Sequence, residues 1–146
     1  MVFRVALVFA LMLGGTGLAA QPNSYSAGQV WEYKTRPADP GSLLKIQKID
    51  TDPSRVENRV IYHISIIGVR LNDPAVRREI SQVPVSREAL DDSVTRLSRS
   101  SVPFPDASDG IAEWKRAKGG VFTIPIAKIV DIVEQTMSKM PAQPQQ

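Results

Sequence analysis

Three segments in the first half of the chain have the patterns of β-strands: two alternate between apolar and polar residues, and the third is a run of β-branched and aromatic residues. The first, at 29–36, places Trp31 and Tyr33 on one face and charged residues on the other. The second, at 42–50, has a weaker alternation. The third, at 59–71, is rich in β-branched and aromatic residues and is apolar on both faces, so it is predicted to be a central strand. The short links favour antiparallel pairing, because parallel strands need long crossovers.

Helical periodicity begins in the second half of the chain. Ser86 is a suitable N-cap, and Leu90, Val94 and Leu97 follow at the i, i+4 and i+7 positions of one helix face. This pattern predicts an amphipathic helix over 87–98 whose three apolar side chains pack on the sheet.

Three further segments have helical signals. Asp73 and Pro74 favour a helical turn that continues to Ile80. A short helix is predicted at 111–118, where a pair of glycines ends it. The last helix is predicted to begin after an N-cap at Thr123. Its apolar stripe is formed by Ile126, Ile129, Val130, Val133 and Met137.

These elements together predict an α+β fold. Its sheet is expected to be an antiparallel meander of three to four strands, with two to three helices packed on one face. We place this single domain at 29–138. A flexible lead at 21–28 is expected to precede it, and a disordered, proline-bearing tail at 139–146 is expected to follow it.

The first twenty residues have the pattern of an export signal. Arg4 lies near the start, an apolar run follows at 5–13, and small residues precede the end of the segment. The run is shorter than the roughly 20 apolar residues that a transmembrane helix needs. We therefore expect cleavage after Ala19 or Ala20, a periplasmic or secreted protein, and no stable membrane anchor after cleavage.

Composition excludes several kinds of chemistry. The chain contains no cysteine, so disulfides, thiolate nucleophiles, cysteine metal sites and a lipid on an N-terminal cysteine are absent. The formal net charge is only +3 at pH 7, and the basic residues are scattered. Because a phosphate backbone is bound by several cations on one face, no nucleic-acid partner is expected. No motif for a cofactor or a metal ion occurs, and none is predicted.

Three residues are candidates for ligand binding, and no catalytic residue is assigned. His63 is the only histidine, so any general-base chemistry of imidazole must use it. A serine hydrolase would have to pair it with Ser65, but neighbours two apart on a strand lie about 6 to 7 Å apart. Arg36 ends the first strand and is suited to bind a carboxylate or a phosphate through two hydrogen bonds. Tyr33 lies beside it.

Four segments carry a resemblance to a known group of proteins. They are Gly28-x-Val30-Trp31-x-Tyr33-x-Thr35-Arg36-Pro37, Tyr62-His63-Ile64-Ser65-x-x-Gly68-Val69, Pro84-Val85-Ser86 and Phe122-Thr123-Ile124. Together they resemble a family of small exported proteobacterial proteins to which no function is assigned. The resemblance covers 28–134. It implies a compact periplasmic domain and no particular reaction.

The missing catalytic groups favour a non-catalytic binding or interaction module that contacts an envelope protein or a small ligand. Two alternatives stay open. One is a small periplasmic hydrolase or ligand-binding enzyme that uses His63. The other is an immunity-type inhibitor of an exported toxin, which the size and the export signal allow.

Overall fold

The computed structural model describes residues 22–52 and 59–140. The predicted export signal and the tail beyond residue 140 lie outside the described residues. The described elements are β1 (Val30–Tyr33), β2 (Leu43–Asp52), β3 (Arg59–Val69), β4 (Arg78–Val85), α1 (Arg87–Ser93), β5 (Val94–Ser98), α2 (Ser108–Arg116) and α3 (Ile126–Lys139).

The strands described in 22–52 and 59–140 form one five-stranded sheet in the order β4-β3-β2-β1-β5, and each neighbouring pair is antiparallel. The first four strands form a meander, and β3 lies inside the sheet as predicted. The α+β fold with an antiparallel sheet is thereby confirmed. The sheet contains one strand more than the upper limit of four that the sequence predicts.

The helical turn predicted to continue to Ile80 does not form: residues 74–75 make a turn, and β4 begins at Arg78. Ile80 pairs with Ile66 and Val83 with Ile64, so two residues of β4 face the single residue Ser65 of β3. This irregularity spaces the apolar residues of β4 by three and then by two positions. The regular alternation that marks a strand is therefore lost from the sequence.

The predicted helix at 87–98 is wrong in its second half. Ser86 caps α1 as predicted, because its Oγ accepts a hydrogen bond from the Ala89 amide. The helix ends at Ser93, whose carbonyl oxygen accepts from the Lys34 amide and joins the chain to the end of β1. From Val94 the chain is strand β5, and Leu97 is 50% exposed. The spacing of Leu97 on the predicted helix face is coincidental.

Helices α1 and α3 cover one face of the sheet. They contact each other, and α1 contacts β3. Fully buried members of this core are Leu44, Ile46, Ile64, Ile66, Val85, Leu90, Ile126, Ile129 and Val130. Thr123 does not cap α3: the helix begins at Ile126 after Pro125, and the Ile126 amide donates to Ser93 Oγ at 2.9 Å. The end of α1 thus fixes the start of α3.

The third helix, α2, lies over the other face. Its Trp114 ring contacts His63, and α2 also contacts β4. The loop before α2 crosses the same face, where the Pro105 carbonyl accepts a hydrogen bond from Gln47. The two faces of β3 are therefore both covered, as its sequence predicts.

The predicted flexible lead is anchored through Tyr25. This side chain is buried and makes edge-to-face ring contacts with Trp31 and Tyr62 at 5.5 Å between centroids. Its hydroxyl donates to Asp91 at 2.6 Å. The lead thus contributes to the core. Among the described helices, none has the length and apolar character needed to cross a membrane.

Candidate functional site

The first candidate, Arg36, lies just after β1 and is nearly buried. Its Nε donates to Asp39 Oδ2 at 2.6 Å, and Nη2 donates to Asp39 Oδ1 at 3.3 Å. Nη1 lies 3.2 Å from carboxylate oxygens of both Asp131 and Glu134 on α3. Nη2 also donates to the carbonyl of Arg70 at 2.9 Å. Each guanidinium nitrogen is therefore occupied by a group of the same chain.

The carboxylate of Asp39 extends this network into the sheet. It is fully buried, and it accepts a hydrogen bond from the Arg70 amide at 2.8 Å. Hydrogen bonding to Asp39 raises the pKa of Arg36 above its usual value, although burial opposes the shift. The Arg36 cluster, formed by Arg36, Asp39, Arg70, Asp131 and Glu134, joins the end of β1 to the end of β3 and to α3.

Tyr33 makes an internal contact of a different kind. Its side chain is buried, and its hydroxyl lies 2.7 Å from Ser42 Oγ. Because Ser42 Oγ donates its proton to the Ile67 carbonyl at 2.7 Å, the tyrosine donates to the serine. Burial raises the pKa of Tyr33 to about 12. Tyr33 therefore remains a neutral phenol that joins β1 to the start of β2.

His63 is fully buried on the α2 side of the sheet. Gln82 Nε2 lies 2.9 Å from His63 Nδ1, and Asp50 Oδ2 lies 3.1 Å from Nε2. An amide nitrogen only donates, so Nδ1 accepts and the ring proton resides on Nε2, which donates to Asp50. The Trp114 ring packs edge-to-face on the imidazole at 4.9 Å. Both ring nitrogens are thus engaged.

The charges around His63 oppose each other. Burial lowers its pKa below the usual 6.5, the charge and hydrogen bond of Asp50 raise it, and Lys115 and Lys48 lower it again. Desolvation raises the pKa of Asp50, but the hydrogen bond from Lys115 and the nearby lysine charges outweigh it, so that pKa is lowered. The native state therefore holds an ionised Asp50 beside a neutral imidazole.

Ser65 does not pair with His63. Its Oγ donates to the Ser81 carbonyl at 2.6 Å and accepts from Gln47 Nε2 at 3.0 Å. The serine side chain therefore joins β3 to β4 and to the neighbouring β2. The arrangement that a serine nucleophile needs, with its hydroxyl on the imidazole, is not formed by these residues.

Arg36 and His63 do not share a site. Arg36 contacts α3, whereas His63 contacts α2 on the other face of the sheet. In the ranges 22–52 and 59–140, no three His, Asp or Glu side chains are grouped so that they could hold a metal ion. Within the same ranges, every buried polar side-chain atom has a hydrogen-bond partner. The predicted site residues thus serve the fold in this structure.

The surface contains a feature that the sequence does not predict. A groove of about 530 Å³ runs between β4 and the second half of α3. We call it the β4–α3 groove and define it by its lining residues: Leu71, Val76, Arg77, Arg78, Glu79, Ile80, Ser81, Val133 and Met137. Val76 is 42% exposed and Met137 is 38% exposed. The sequence does not predict this groove because the irregular pairing of β4 with β3 hides the strand that forms one of its walls.

The chain matches no known protein family, no curated protein and no solved structure. The resemblance to small exported proteobacterial proteins therefore stays a prediction.

Proposed function

We propose that the protein is a non-catalytic binding module of the periplasm, which contacts an envelope protein through its surface. One contrast supports this proposal. The polar residues suited to chemistry, Arg36, Tyr33 and His63, are occupied by groups of the same chain. Large apolar side chains are instead exposed at several places, including Val76, Leu97, Val102, Ile132 and Met137.

The proposed location rests on the N-terminal pattern of a positive residue, a short apolar run and small residues. Fractionation of cells that produce the full chain tests it. We expect the product in the periplasmic fraction, with an N-terminus at Ala20 or Gln21. A full-length product in the cytoplasm would contradict the export proposal.

The hydrolase alternative is supported by one observation, the hydrogen bond between Asp50 and His63. A carboxylate that orients an imidazole is part of many catalytic sites. Here, however, the second ring nitrogen accepts from Gln82 and the ring is fully buried. The variant His63→Ala distinguishes the binding module from the hydrolase. A binding module would lose stability and still bind its partner, whereas a hydrolase would lose its activity.

Photo-crosslinking in the bacterium that encodes the protein tests the binding proposal. A photoreactive phenylalanine analogue replaces one exposed apolar residue at a time, at Val76, Leu97 or Val102. The exposed, polar Glu113 on α2 serves as the control position, because a bulky residue there leaves the core intact. We expect at least one exposed position to give a light-dependent adduct with one envelope protein. If none of the three gives an adduct, the proposal is wrong.

A further inference from the structure

The β4–α3 groove combines an apolar floor with a strand edge. Leu71 is buried at its base, Ile80 and Val133 are partly buried and pack against the core, and Met137 is partly exposed. One wall is β4, which lies at the end of the sheet, and the other is α3. An extended segment placed here would contact both a backbone edge and apolar side chains.

The edge of β4 is open at the end that forms the groove. At its other end, the Phe122 amide donates to the Pro84 carbonyl, and the Ser86 amide donates to the Phe122 carbonyl. This short pairing shows that the outer edge of β4 accepts a second backbone. From Arg78 to Ser81, no strand within the described part of the chain pairs with that outer edge. These backbone groups are therefore a template for strand addition.

The charges at the groove favour an acidic occupant. Its charged lining residues are Arg77, Arg78 and Glu79, so two positive side chains and one negative side chain line it. The Arg77 guanidinium makes one long hydrogen bond, to the Pro40 carbonyl at 3.4 Å, and Arg78 forms no ion pair with any described residue. Both arginines thus have donors to offer. A second copy of this chain would instead bring two such arginine pairs to one interface, where like charges repel.

We propose that the β4–α3 groove binds an extended acidic segment of a partner protein by strand addition to β4. Apolar side chains of the segment lie on Ile80, Val133 and Met137, and its carboxylates face Arg77 and Arg78. This proposal rests on the proposed function, because it names the surface and the partner chemistry of the binding module.

The opposite sheet edge lacks this combination. On β5, Arg96 is paired with Glu32 through two hydrogen bonds, at 3.1 and 2.8 Å, and Leu97 is an isolated exposed apolar residue. Arg99 follows β5 directly and is exposed. It therefore provides a matched control for Arg78, since each is an exposed arginine at one end of the same sheet.

The test begins with a random dodecapeptide library displayed on phage and selected on the purified full mature chain. We expect the enriched peptides to carry Asp or Glu among alternating apolar residues. A synthetic copy of the most enriched peptide is then titrated into isotope-labelled protein and followed by NMR. Chemical-shift changes are expected at the amides of 78–81 and around Val133 and Met137.

Variants connect the binding to the groove. We expect Arg78→Glu and Met137→Glu each to weaken peptide binding about tenfold or more, and Arg99→Glu to leave it within about twofold. Arg78 and Met137 are exposed, so we expect the circular dichroism spectra of both groove variants to match that of the wild type. Higher salt is expected to weaken binding to the wild type and to have less effect on Arg78→Glu.

Several results would overturn the inference. In the first, the selection enriches no peptide or only basic peptides. In the second, the NMR chemical-shift changes are confined to β5. In the third, Arg78→Glu and Arg99→Glu weaken peptide binding equally. A dimer in solution that Met137→Glu abolishes would also overturn it, because a second copy would then occupy the groove. The two proposals can fail separately: an adduct from Leu97 alone would keep the binding module and reject this groove.

Discussion

Replacement of Arg36 by alanine is predicted to destabilise the fold strongly. The Arg36 side chain is 9% exposed and the Asp39 side chain is fully buried, so the variant leaves a buried charge without its main partner. Asp39 keeps one hydrogen bond, from the Arg70 amide. The ties between the end of β1 and α3, through Asp131 and Glu134, are lost at the same time.

The magnitude follows from the burial of each pair. Removal of one partner from a buried ion pair costs about 3 to 5 kcal/mol, and the remaining amide contact places Arg36→Ala near 3 kcal/mol, the lower end. The side chain of Asp131 is 41% exposed. Exposed pairs contribute about 1 kcal/mol or less, so Asp131→Asn is the matched control. A domain of this size has about 5 to 15 kcal/mol of stability, so Arg36→Ala removes a large share.

Urea unfolding at neutral pH, followed by circular dichroism, measures these differences through the transition midpoint and slope. The double variant Arg36→Ala, Asp39→Asn gives a second check. Because it removes the stranded charge, we expect it to be more stable than Arg36→Ala alone. A loss below about 1 kcal/mol of unfolding free energy for Arg36→Ala would show that Arg36 is not an important part of the fold, and it would return Arg36 to the role of a ligand-binding residue.

Three further predictions concern the fold. Leu90→Ala is expected to cost about 2 to 5 kcal/mol in urea unfolding, and Leu97→Ala less than about 1; similar losses would instead support one helix over 87–98. Gly119→Ala would make its Cβ clash with the indole of Trp114 in α2, whereas the Cβ of Gly120→Ala meets nothing within 4 Å. We expect only Gly119→Ala to lose unfolding free energy, by about 1 to 3 kcal/mol. Equal melting temperatures for the two variants would contradict the packing of Gly119 against the indole. The pKa of His63 is lowered below 6.5, so the unfolded chain binds the extra proton and stability falls as the pH drops below about 6.5. Thermal unfolding between about pH 7.5 and 5.5 should show this fall in the wild type and not in His63→Gln; a wild type that is flat or gains stability on acidification would refute it.

The sequence predicts β1 and β2 because apolar and polar residues alternate along them, and β3 because it is rich in β-branched and aromatic residues. It misses β4 because an irregularity in the pairing with β3 disrupts the period of two. It misses β5 because a helix of seven residues followed directly by a strand places Leu97 where a continuous helix would also place an apolar residue. The spacing of apolar residues does not show where the backbone hydrogen bonds change from those of a helix to those of a sheet.

The sequence identifies which side chains are suited to bind a ligand, but it does not identify the groups to which those side chains are hydrogen-bonded. Arg36 does bind carboxylates, but two of them come from α3, 95 and 98 positions further along the chain. The partners of His63, Asp50 and Gln82, lie 13 and 19 positions away on neighbouring strands. Only the pairing of the strands brings these side chains together. Without knowledge of how the strands pair, the sequence therefore shows which chemistry a side chain can perform and leaves open which groups it contacts.

The most direct test of the binding account is photo-crosslinking from position 76 in living cells, in the wild-type background and with Arg78→Glu. A photoreactive residue in place of Val76 lies at the β4–α3 groove. We expect an adduct with one envelope protein in the wild-type background and its loss with Arg78→Glu, while Arg99→Glu preserves it. The absence of any adduct from this position and from Leu97 and Val102 would contradict the account.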